Sequence, residues 1–572
     1  MKTLLVGINA KFIHSNLAIR SLKKYTEQRL DIKIDICEYT INQQPELIMR
    51  EIYKQKPDVI GFSCYIWNYE LIKNLVCELR KLLPNTVIFL GGPEVSYDSV
   101  EVIMNVPCDA VVCGEGEAVF CEFISRLNQG KDYSNVKGIT CYKENRIIEN
   151  PPMEPISMDD IPFVYDEFAD LENRIVYYEA SRGCPFRCQY CLSSGSGGVR
   201  LRSLQQVFAD LLHFLKAKVR QVKFVDRTFN CQKEYTMAIW KFLSENDNGI
   251  TNFHFEMAAE LIDQDMITFL HTVRKGLFQF EIGVQSTNPE TLKAIKRVTL
   301  PEKLTPIIKA LQQENNIHLH LDLIAGLPYE NYEQFKKSFN YVYQLLPDQL
   351  QLGFLKLLKG SGLYTDKGKY RLVCTEYAPY EVLYTDWITY DELLRLKMVE
   401  EMVETYYNSN RYQRTIWYLL SLFKTPFDLF EALGDFYEEN NLHLVPHSKV
   451  EYYTILHDFF LTLKRGDEET FQWYIRYDSY SHEKAKKIPE WLNVSLNESY
   501  KKTIFDFADC RENVERYLPE YLDFDTKQIL RNAHIEIFPF NPITREHGVT
   551  ALLFNYRKCD LLGNADVQKI EI

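Results

Sequence analysis

The chain has 572 residues, and its 66 lysines and arginines against 79 aspartates and glutamates give a net charge of −13. This balance argues against a broad nucleic-acid-binding surface but leaves room for a local basic patch. The length predicts three or four domains of roughly 150 residues each. No apolar run approaches the roughly 18 residues of a membrane-spanning helix, and the apolar stretch at the start, "MKTLLVGINAKF", is too short for a signal peptide. We therefore expect a cytoplasmic protein with no membrane partner.

Residues 1–150 alternate strand-like apolar runs with helical stretches. The strand-like runs are "KTLLVGI", "DIKIDICEY", "PDVIGFSCY", "TVIFLGGPE" and "DAVVCGEGE". This pattern predicts an α/β domain with a doubly wound parallel sheet. In such a sheet, ligands bind at the loops that follow the strands, here "GINAKFIHSN", "SCYIWN", "GGPEVS" and "GEGE".

A proline-rich stretch at 151–170 is typical of a linker, and a second strand and helix alternation follows at 171–375. Its strands are "RIVYYEAS", "QVKFVD", "NFHFEMA", "FQFEIGV", "HLHLDLIAG" and "QLQLGFLKL". Six such strands predict a partial (βα)₆ barrel. Residues 376–572 are rich in long amphipathic segments and aromatic residues, which predicts a mostly helical domain without a recognisable chemical motif.

Fourteen cysteines are present, and in a cytoplasmic protein we expect them to be reduced. Seven of them lie singly in apolar segments and are expected in the core: Cys37, Cys64, Cys77, Cys108, Cys113, Cys121 and Cys141. Cys184, Cys188 and Cys191 instead share the short segment "SRGCPFRCQYCLSS", directly after the first barrel strand. These three are the candidate metal ligands.

Two metal centres are compatible with three clustered cysteines. Structural zinc needs four ligands, and the only candidates for the fourth, Cys231 and His213, have no partner at metal-binding spacing. A [4Fe–4S] cluster fits better, because three thiolates on one loop can each bind one iron and leave the fourth iron open. We therefore expect an iron–sulfur cluster with an open coordination position.

"CPFRCQYC" is a CxxxCxxC segment with an aromatic residue before the last cysteine, and it resembles the cluster motif of radical SAM enzymes. In that family the open iron binds S-adenosylmethionine (SAM), whose reductive cleavage gives a 5′-deoxyadenosyl radical. "FEIGVQS", "LDLIAGLP" and "LKLLKGSGLY" resemble later family segments in order and spacing. The resemblance implies a SAM site formed by these residues: Tyr190, Asp226, Glu256, Glu260, Gln285, Ser286, Ile324 and Gly326. No catalytic residue beyond the cluster ligands is assigned.

This segment of the chain also departs from the family pattern, and some assignments have a simpler alternative. "KFVDRTFN" lacks the GGE triplet that holds the SAM amino group in many relatives, a role that Asp226 could take. Asp322 stands where a glycine is common. A carboxylate at a strand end can also be a helix cap or part of a surface ion pair.

The first domain lacks the GxGxxG fingerprint after its first strand, which disfavours nicotinamide and flavin. It resembles a cobalamin-binding domain, in which a serine after one strand and a glycine pair after the next hold the nucleotide tail. The usual DxHxxG motif is absent, so His14 is either a cobalt ligand or a core or helix-entry histidine. The resemblance implies these cobalamin-binding residues: His14, Ser63, Cys64, Tyr65, Gly91, Gly92, Pro93, Glu94, Gly114, Glu115 and Gly116.

Together these resemblances imply a cobalamin-dependent radical SAM enzyme, with methylation of an unactivated carbon or phosphorus as the expected reaction. Ring contraction or cyclisation without methylation is an alternative, as is a cobalamin-binding redox sensor without catalysis. An RNA-modifying enzyme is a further alternative, but Cys374, Cys510 and Cys559 are too scattered to predict a second cluster. The expected partners are a small-molecule substrate and an electron donor such as flavodoxin or ferredoxin, with nucleic acid disfavoured.

Overall fold

The computed structural model describes residues 1–166, 168, 171–195, 198–297, 300–484, 488–559 and 563–571. Residues 167, 169 and 170 of the predicted linker lie outside this part of the chain. The chain divides into two compact units. The first comprises Met1–Asn331 and Gly353–Thr389, and the second comprises Tyr332–Leu352 and Tyr390–Ile572.

The first unit begins with a seven-stranded sheet between helices. Its strands are β1 (Thr3–Asn9), β2 (Ile34–Thr40), β3 (Val59–Ser63), β4 (Val87–Gly91), β5 (Ala110–Val112), β6 (Ile139–Lys143) and β7 (Arg146–Glu149). Its helices are α1 (Leu17–Glu27), α2 (Pro45–Gln55), α3 (Tyr69–Leu82), α4 (Pro93–Ser96), α5 (Ser99–Asn105) and α6 (Gly116–Asn128). The order β2-β1-β3-β4-β5 is parallel, and β6 and β7 add an antiparallel edge. The predicted doubly wound sheet is confirmed.

This sheet forms because its central strands are apolar on both faces. β1 and β3 are buried along their whole length, and one core lies against α2 and α3 while another lies against α1 and α6. Gly61 in β3 is required by packing, since a Cβ there would overlap the ring of Phe89. Because the parallel strands end at one edge, the loops after β1, β3, β4 and β5 lie close together.

The rest of the first unit contains most of the partial barrel. The strands are β8 (Ile175–Tyr178), β9 (Ser181–Arg182), β10 (Arg200–Leu201), β11 (Gln221–Phe224), β12 (Asn252–Met257), β13 (Phe278–Gln285), β14 (His318–Ala325), β15 (Gln349–Phe354), β16 (Val373–Cys374) and β17 (Val382–Tyr384). The helices in this part of the chain are α7 (Leu204–Lys216), α8 (Lys233–Glu245), α9 (Gln264–Leu270), α10 (Pro289–Ala294), α11 (Pro301–Gln312), α12 (Tyr332–Gln344) and α13 (Gly362–Thr365). The sheet order β8-β11-β12-β13-β14-β15 confirms the predicted six-stranded partial barrel.

The second unit is mostly helical, as predicted. Beyond α12 its helices are α14 (Tyr390–Val403), α15 (Gln413–Leu420), α16 (Pro426–Glu439), α17 (Lys449–Leu463), α18 (Glu468–Ser481), α19 (Lys501–Asp509), α20 (Arg511–Tyr517) and α21 (Thr526–Asn532). The chain ends in an antiparallel sheet of β18 (Ala533–Phe540), β19 (His547–Cys559) and β20 (Ala565–Ile570), which the sequence analysis did not predict. Among the described residues, no helix combines the length and apolar character needed to cross a membrane.

Candidate cofactor sites

The cysteine loop follows the first barrel strand and its conformation depends on a glycine. Gly183 has a φ of +100°, and a Cβ there would overlap the carbonyl oxygen of Gly198. Cys188 is buried, whereas Cys184 and Cys191 are half-buried. The Cys191 N–H donates to the Cys188 carbonyl at 3.1 Å, which closes a tight turn between two of the thiols. The loop is therefore a compact, shaped segment.

Two other parts of the first unit hold this loop through Gln189. The Gln189 N–H donates to the carbonyl of Ile295, just after α10, at 3.0 Å. The Gln189 carbonyl in turn accepts from the Leu363 N–H of α13 at 2.8 Å. Because both contacts use the backbone, they fix the loop position whatever side chain residue 189 carries.

Cys184, Cys188 and Cys191 line one cavity of about 210 Å³, and this cavity fits an iron–sulfur cluster. The Arg297 guanidinium lies 3.8 Å from the Cys188 sulfur, and the Thr228 hydroxyl lies 3.4 Å from the Cys184 sulfur. Among the described lining residues there is no fourth cysteine and no histidine, so neither Cys231 nor His213 lines the cavity. Three thiols beside an arginine suit a cluster with three protein ligands better than a closed zinc site.

Of the eight residues predicted for SAM, the structure places three in the wall of the cluster cavity: Tyr190, Glu256 and Gln285. Gln285 has a φ of +69°, and its buried side-chain oxygen has no hydrogen-bond partner. Burial raises the pKa of Glu256. Buried polar atoms are normally hydrogen-bonded, so the unpartnered oxygen of Gln285 in the cavity wall is available to a polar ligand. This wall therefore fits SAM.

The other five do not line this cavity. Asp226 accepts from the Ala180 N–H at 3.1 Å and from the Ser181 hydroxyl at 2.5 Å, and burial raises its pKa to about 7. It therefore braces the chain just before the cysteine loop. Ser286 donates to Glu330 at 2.5 Å. The remaining three lie nearby on the barrel strands or just after them: Glu260, Ile324 and Gly326.

Sequence reasoning missed several charged residues in the barrel. Arg227 and Glu281 line the cluster cavity, and Glu281 pairs with Lys223 at 2.9 Å and with His254 at 3.1 Å. Lys223, His254 and Glu281 could have been found from the period-two alternation of β11, β12 and β13, in which they occupy inward positions. Arg227 lies three residues after the end of β11.

Asp322 also lines the cluster cavity, at the position where the sequence analysis noted a departure from the family pattern. Its Oδ1 is buried without a hydrogen-bond partner. Burial, followed by the nearby charges of Glu281 and Glu256, raises the pKa of Asp322 well above its usual range. This carboxyl group is consequently harder to ionise than an exposed aspartate.

A much larger cavity, of about 1080 Å³, lies where the loops of the first sheet meet the barrel. Ten of the eleven residues predicted for cobalamin line it: His14, Ser63, Tyr65, Gly91, Gly92, Pro93, Glu94, Gly114, Glu115 and Gly116. The exception is Cys64, whose side chain is fully buried in the sheet core. The Cys64 backbone nevertheless supports the cavity wall, because its N–H donates to the carbonyl of Gly91, a lining residue, at 2.7 Å.

The glycines give this cavity a floor of exposed backbone. Gly92 has a φ of +118°, and a Cβ there would lie 2.5 Å from the Cys64 carbonyl oxygen. Gly114 has a φ of +76°, and no atom lies within 4 Å of the Cβ that it lacks. Ser63 accepts from the Asn16 amide at 3.0 Å, which fixes its hydroxyl at the cavity edge. A bulky ligand can therefore approach the backbone closely, as the tail of a cobalamin requires.

His14 borders the large cavity but has a partner on the barrel. Its Nδ1 lies 2.6 Å from the Tyr177 hydroxyl, and the pKa of His14 is lowered, chiefly by burial. This contact orients the imidazole ring and leaves Nε2 as the nitrogen that a ligand would meet.

The two cavities adjoin each other, since Arg227 and Glu256 line both. Arg182, just before the cysteine loop, contacts residues that follow β5. Its guanidinium contacts Glu115 at 3.1 Å and Glu117 at 2.5 Å, both in the loop and helix that follow β5. One cation thus joins the wall of the large cavity to the loop that carries the thiols.

The folds and sites define an enzyme with a radical SAM barrel beside a corrinoid domain, and comparison with known families agrees. Residues 3–124 match the B12 binding domain, residues 178–342 match the radical SAM superfamily, and residues 368–554 match a family described as a protein of unknown function, DUF4080. The chain belongs to the radical SAM enzymes that carry a B12-binding domain. The predicted family and fold class are thereby confirmed.

Three curated relatives are similar over about half of the chain. An uncharacterized methyltransferase of Pyrococcus horikoshii is 26% identical and covers 55% of this chain and 71% of its own. The anaerobic magnesium-protoporphyrin IX monomethyl ester cyclase of Synechocystis is 28% identical, covering 46% and 54%. The cobalamin-dependent radical SAM methyltransferase TokK of Streptomyces tokunonensis is 23% identical, covering 59% and 52%. The chain thus spans about half the length of the latter two.

Among solved structures, a similar fold is found in the cobalamin-dependent S-adenosylmethionine radical enzyme OxsB with aqua-cobalamin and S-adenosylmethionine bound. The TM-score is 0.58 at 15% identity, with coverage of 81% of this chain and 79% of that one. At this identity the likeness supports the fold.

Proposed function

We propose that this enzyme cleaves SAM reductively and uses cobalamin to methylate an unactivated carbon or phosphorus of a small molecule. The observation that carries the proposal is the adjoining pair of cavities. One is lined by three thiols, the other by a glycine-rich backbone floor, and Arg227 and Glu256 line both. A methyl donor held in one cavity and a radical source in the other would be side by side, with the substrate between them.

The residues have distinct proposed roles. Cys184, Cys188 and Cys191 bind three irons, and Arg297 offsets their negative charge. When bound, the cluster and SAM supply a carbon radical, and cobalamin supplies the methyl group. Tyr190, Glu256 and Gln285 contact SAM directly, whereas Asp226 positions the cysteine loop.

The ten cavity-lining residues predicted for cobalamin form its binding surface, with the Cys64 backbone behind them. Apolar and aromatic side chains such as Phe62, Tyr65 and Ile66 line the large cavity, and their proposed role is to limit the water that reaches the radical. The proposed domain boundaries lie at residues 150, 170 and 375, and the proposed location is the cytoplasm.

A first experiment needs no knowledge of the substrate. After anaerobic reconstitution with iron, sulfide and cobalamin, dithionite and SAM should yield 5′-deoxyadenosine. Cys188→Ala should abolish this product but keep the corrin absorbance, while Cys77→Ala, a change in α3 of the first sheet domain, should behave as the parent. Failure of the parent protein to form 5′-deoxyadenosine would instead favour a cobalamin sensor.

A second experiment addresses methyl transfer. SAM carrying a CD₃ group is incubated with the reconstituted, reduced protein, and the corrin is extracted and weighed by mass spectrometry. Transfer of the label to the corrin supports methyl transfer, and its absence alongside 5′-deoxyadenosine contradicts it. The second outcome would favour cyclisation without methylation, the candidate suggested by the similarity to the Synechocystis cyclase.

A further inference from the structure

Two histidines and a glutamate lie together in the barrel interior, next to the cluster cavity. His254 precedes the cavity-lining Glu256 by two residues on β12. His320 precedes the cavity-lining Asp322 by two residues on β14. Both histidines therefore lie on the inward face of their strands, one step deeper than the cavity. One ring nitrogen from each and one carboxylate oxygen of Glu281 lie within 4.8 Å of one another.

The contact between His254 and Glu281 has the length of a hydrogen bond but not its direction. His254 Nε2 lies 3.1 Å from Glu281 Oε2, and its side chain is only 7% exposed. This buried nitrogen nevertheless has no hydrogen-bond partner among the described residues. Two atoms that bind one Zn²⁺ ion at about 2.0–2.2 Å lie about 3 Å apart and point at the ion instead of at each other. The contact is therefore of the kind that two ligands of one ion make.

The protonation states of the three side chains also suit a metal. Burial lowers the pKa of His254, and burial together with the neighbouring histidines lowers that of His320 to about 2, so both rings are neutral at pH 7. Glu281 is ionised, because it pairs with Lys223 at 2.9 Å. Metal ligands must be deprotonated, and two neutral imidazoles with one carboxylate are a donor set for zinc or iron(II).

The ring of His320 is held by a further contact. The Gln279 side chain lies 2.8 Å from His320 Nε2, which orients the ring as the partner of a ligating histidine usually does. An ion must then be bound through Nδ1 of His320. Gln279 is two residues before Glu281 on β13, so the same strand supplies one ligand and the support of another.

The charges around this group are compatible with a divalent cation. Glu256, Glu281 and Asp322 all line the cluster cavity, and of these only Glu281 forms an ion pair with a residue that the structure describes. Its partner Lys223 contacts Oε2, and a carboxylate has a second oxygen, so Glu281 can hold the lysine and an ion together. A doubly charged ion would offset the two remaining acids in their ionised form.

We propose that His254, Glu281 and His320 bind one divalent transition-metal ion, with Zn²⁺ as the best match. The three ligands come from the adjacent strands β12, β13 and β14, whose pairing sets their spacing. Zinc held by two histidines and one carboxylate keeps a further position for water or another ligand. The inference is independent of the proposed function, because none of the three residues is a cluster ligand.

A buried ion-pair network without metal is the alternative. Lys223 and Glu281 would then neutralise each other, and His254 would only be their neighbour. This alternative leaves the unpartnered Nε2 of His254 unexplained, and it predicts that the chain has no specific affinity for zinc.

The test uses the full chain without its cluster, so that Zn²⁺ is the only metal present. The parent of the series carries Cys184→Ala, Cys188→Ala and Cys191→Ala. After treatment with a chelator, Zn²⁺ alone is titrated in competition with a chromophoric chelator, and one equivalent should bind. X-ray absorption of the zinc-loaded protein should show nitrogen and oxygen ligands at about 2.0–2.2 Å. Sulfur ligands at about 2.3 Å would overturn the proposal, because the zinc would then be bound by other cysteines.

Substitution of single histidines identifies the ligands. His254→Gln and His320→Gln should each weaken zinc binding by about a hundredfold. His318→Gln is the matched control, since the His318 ring also lies on β14, 4.8 Å from the His320 ring, but is not part of the ligand group. This control should bind zinc as the parent does. Equal affinities of His320→Gln and His318→Gln would overturn the proposal, as would a parent that binds no zinc.

Lys223→Met tests the same site through a gain of affinity. The lysine competes with the ion for Glu281, so its removal should tighten zinc binding by about tenfold. The ion-pair alternative predicts no zinc binding and a loss of stability, because Glu281 is left without its partner. If a glutamine variant fails to fold by circular dichroism, Lys223→Met decides, and unchanged or weaker zinc binding contradicts the site. Because no cluster is present, a failure of SAM cleavage in the native enzyme leaves this result unaffected.

Discussion

Asp322 illustrates what a single residue adds to the barrel. It lies on β14 beside Gly283 and lines the cluster cavity with an unpartnered Oδ1. The sequence alone marked it as unusual, because a glycine is common there in the resembling family. It could not show that the side chain enters the cavity, since that depends on the register between β13 and β14.

A buried acid without a partner should cost stability in the ligand-free protein. We predict that Asp322→Ala raises the free energy of unfolding by about 1–3 kcal/mol, because it removes a desolvated polar atom. Urea unfolding of cluster-free protein at pH 7 measures this, with Asp31→Ala as an exposed control. SAM affinity of the loaded protein, measured by calorimetry, should fall in the same variant, as expected where stability and function compete.

The outcome has a clear alternative. If Asp322→Ala destabilises the protein, then the carboxyl group has a structural role that its unpartnered oxygen does not reveal. Unchanged SAM affinity would remove Asp322 from the ligand site and leave it as a residue of the wall alone.

At the scale of elements, the sequence predicted the strands and the loops of the sites. It did not predict the distant contacts that fix the position of the cysteine loop. The cysteine motif and the strand before it are local, so one stretch of sequence contains both. The contacts at Ile295 and Leu363 lie more than a hundred residues away along the chain, and no periodicity signals them. The same is true of Arg297, which reaches the Cys188 sulfur from beyond α10.

Among the contacts between elements, those of Arg182 are expected to contribute most to the stability of the first unit. Its guanidinium contacts Glu115, Glu117 and Glu179 within 3.1 Å, and Glu117 is almost fully buried. Burial acts to raise the pKa of Glu117, but the charge and hydrogen bonds of Arg182 outweigh it and hold the pKa below its usual value. Without Arg182, these carboxylates would repel each other in a poorly solvated place.

We therefore predict that Arg182→Gln destabilises the first unit by about 3–5 kcal/mol at pH 7 and impairs cobalamin loading. Arg182→Lys should recover part of both, since it restores the charge but not the forked geometry. The measurements are urea unfolding and corrin absorbance after reconstitution. Arg50→Gln, an exposed residue on α2, is the control. A decrease in the free energy of unfolding below about 1 kcal/mol would contradict this prediction and mean that water solvates the three carboxylates in place of the arginine.

At the scale of the whole molecule, composition and pattern predicted the order of an α/β sheet, a barrel and a helical region. They did not predict the terminal sheet of β18 to β20, because its strands follow several short helices and no motif marks them. Nor did they reveal the buried charges of the second unit. There Glu536 is fully buried and accepts from Arg476 at 2.6 Å and from His534 at 2.7 Å.

This buried group predicts how the second unit responds to acid. The pKa of His534 is lowered, chiefly by burial, with Lys484 and Arg476 acting in the same direction and Glu536 opposing them. The unfolded chain therefore takes up a proton near pH 6.5 that the folded chain resists, and stability falls as the pH drops below that value. Asp478 acts in the opposite sense, because burial raises its pKa to about 7.

Only a comparison between parent and variant isolates the histidine from Asp478. We predict that His534→Gln flattens the fall in stability between pH 7.5 and 5.5 by on the order of 1 kcal/mol, since glutamine cannot take up the proton. Hydrogen exchange of the β18 and β19 amides measures the stability of this sheet at each pH. His547→Gln, an exposed change on β19, should leave the parent profile intact. Parallel profiles for the parent and His534→Gln would show that His534 takes up its proton over the same pH range in the folded and unfolded chains, in which case the Glu536 carboxylate offsets the effect of burial.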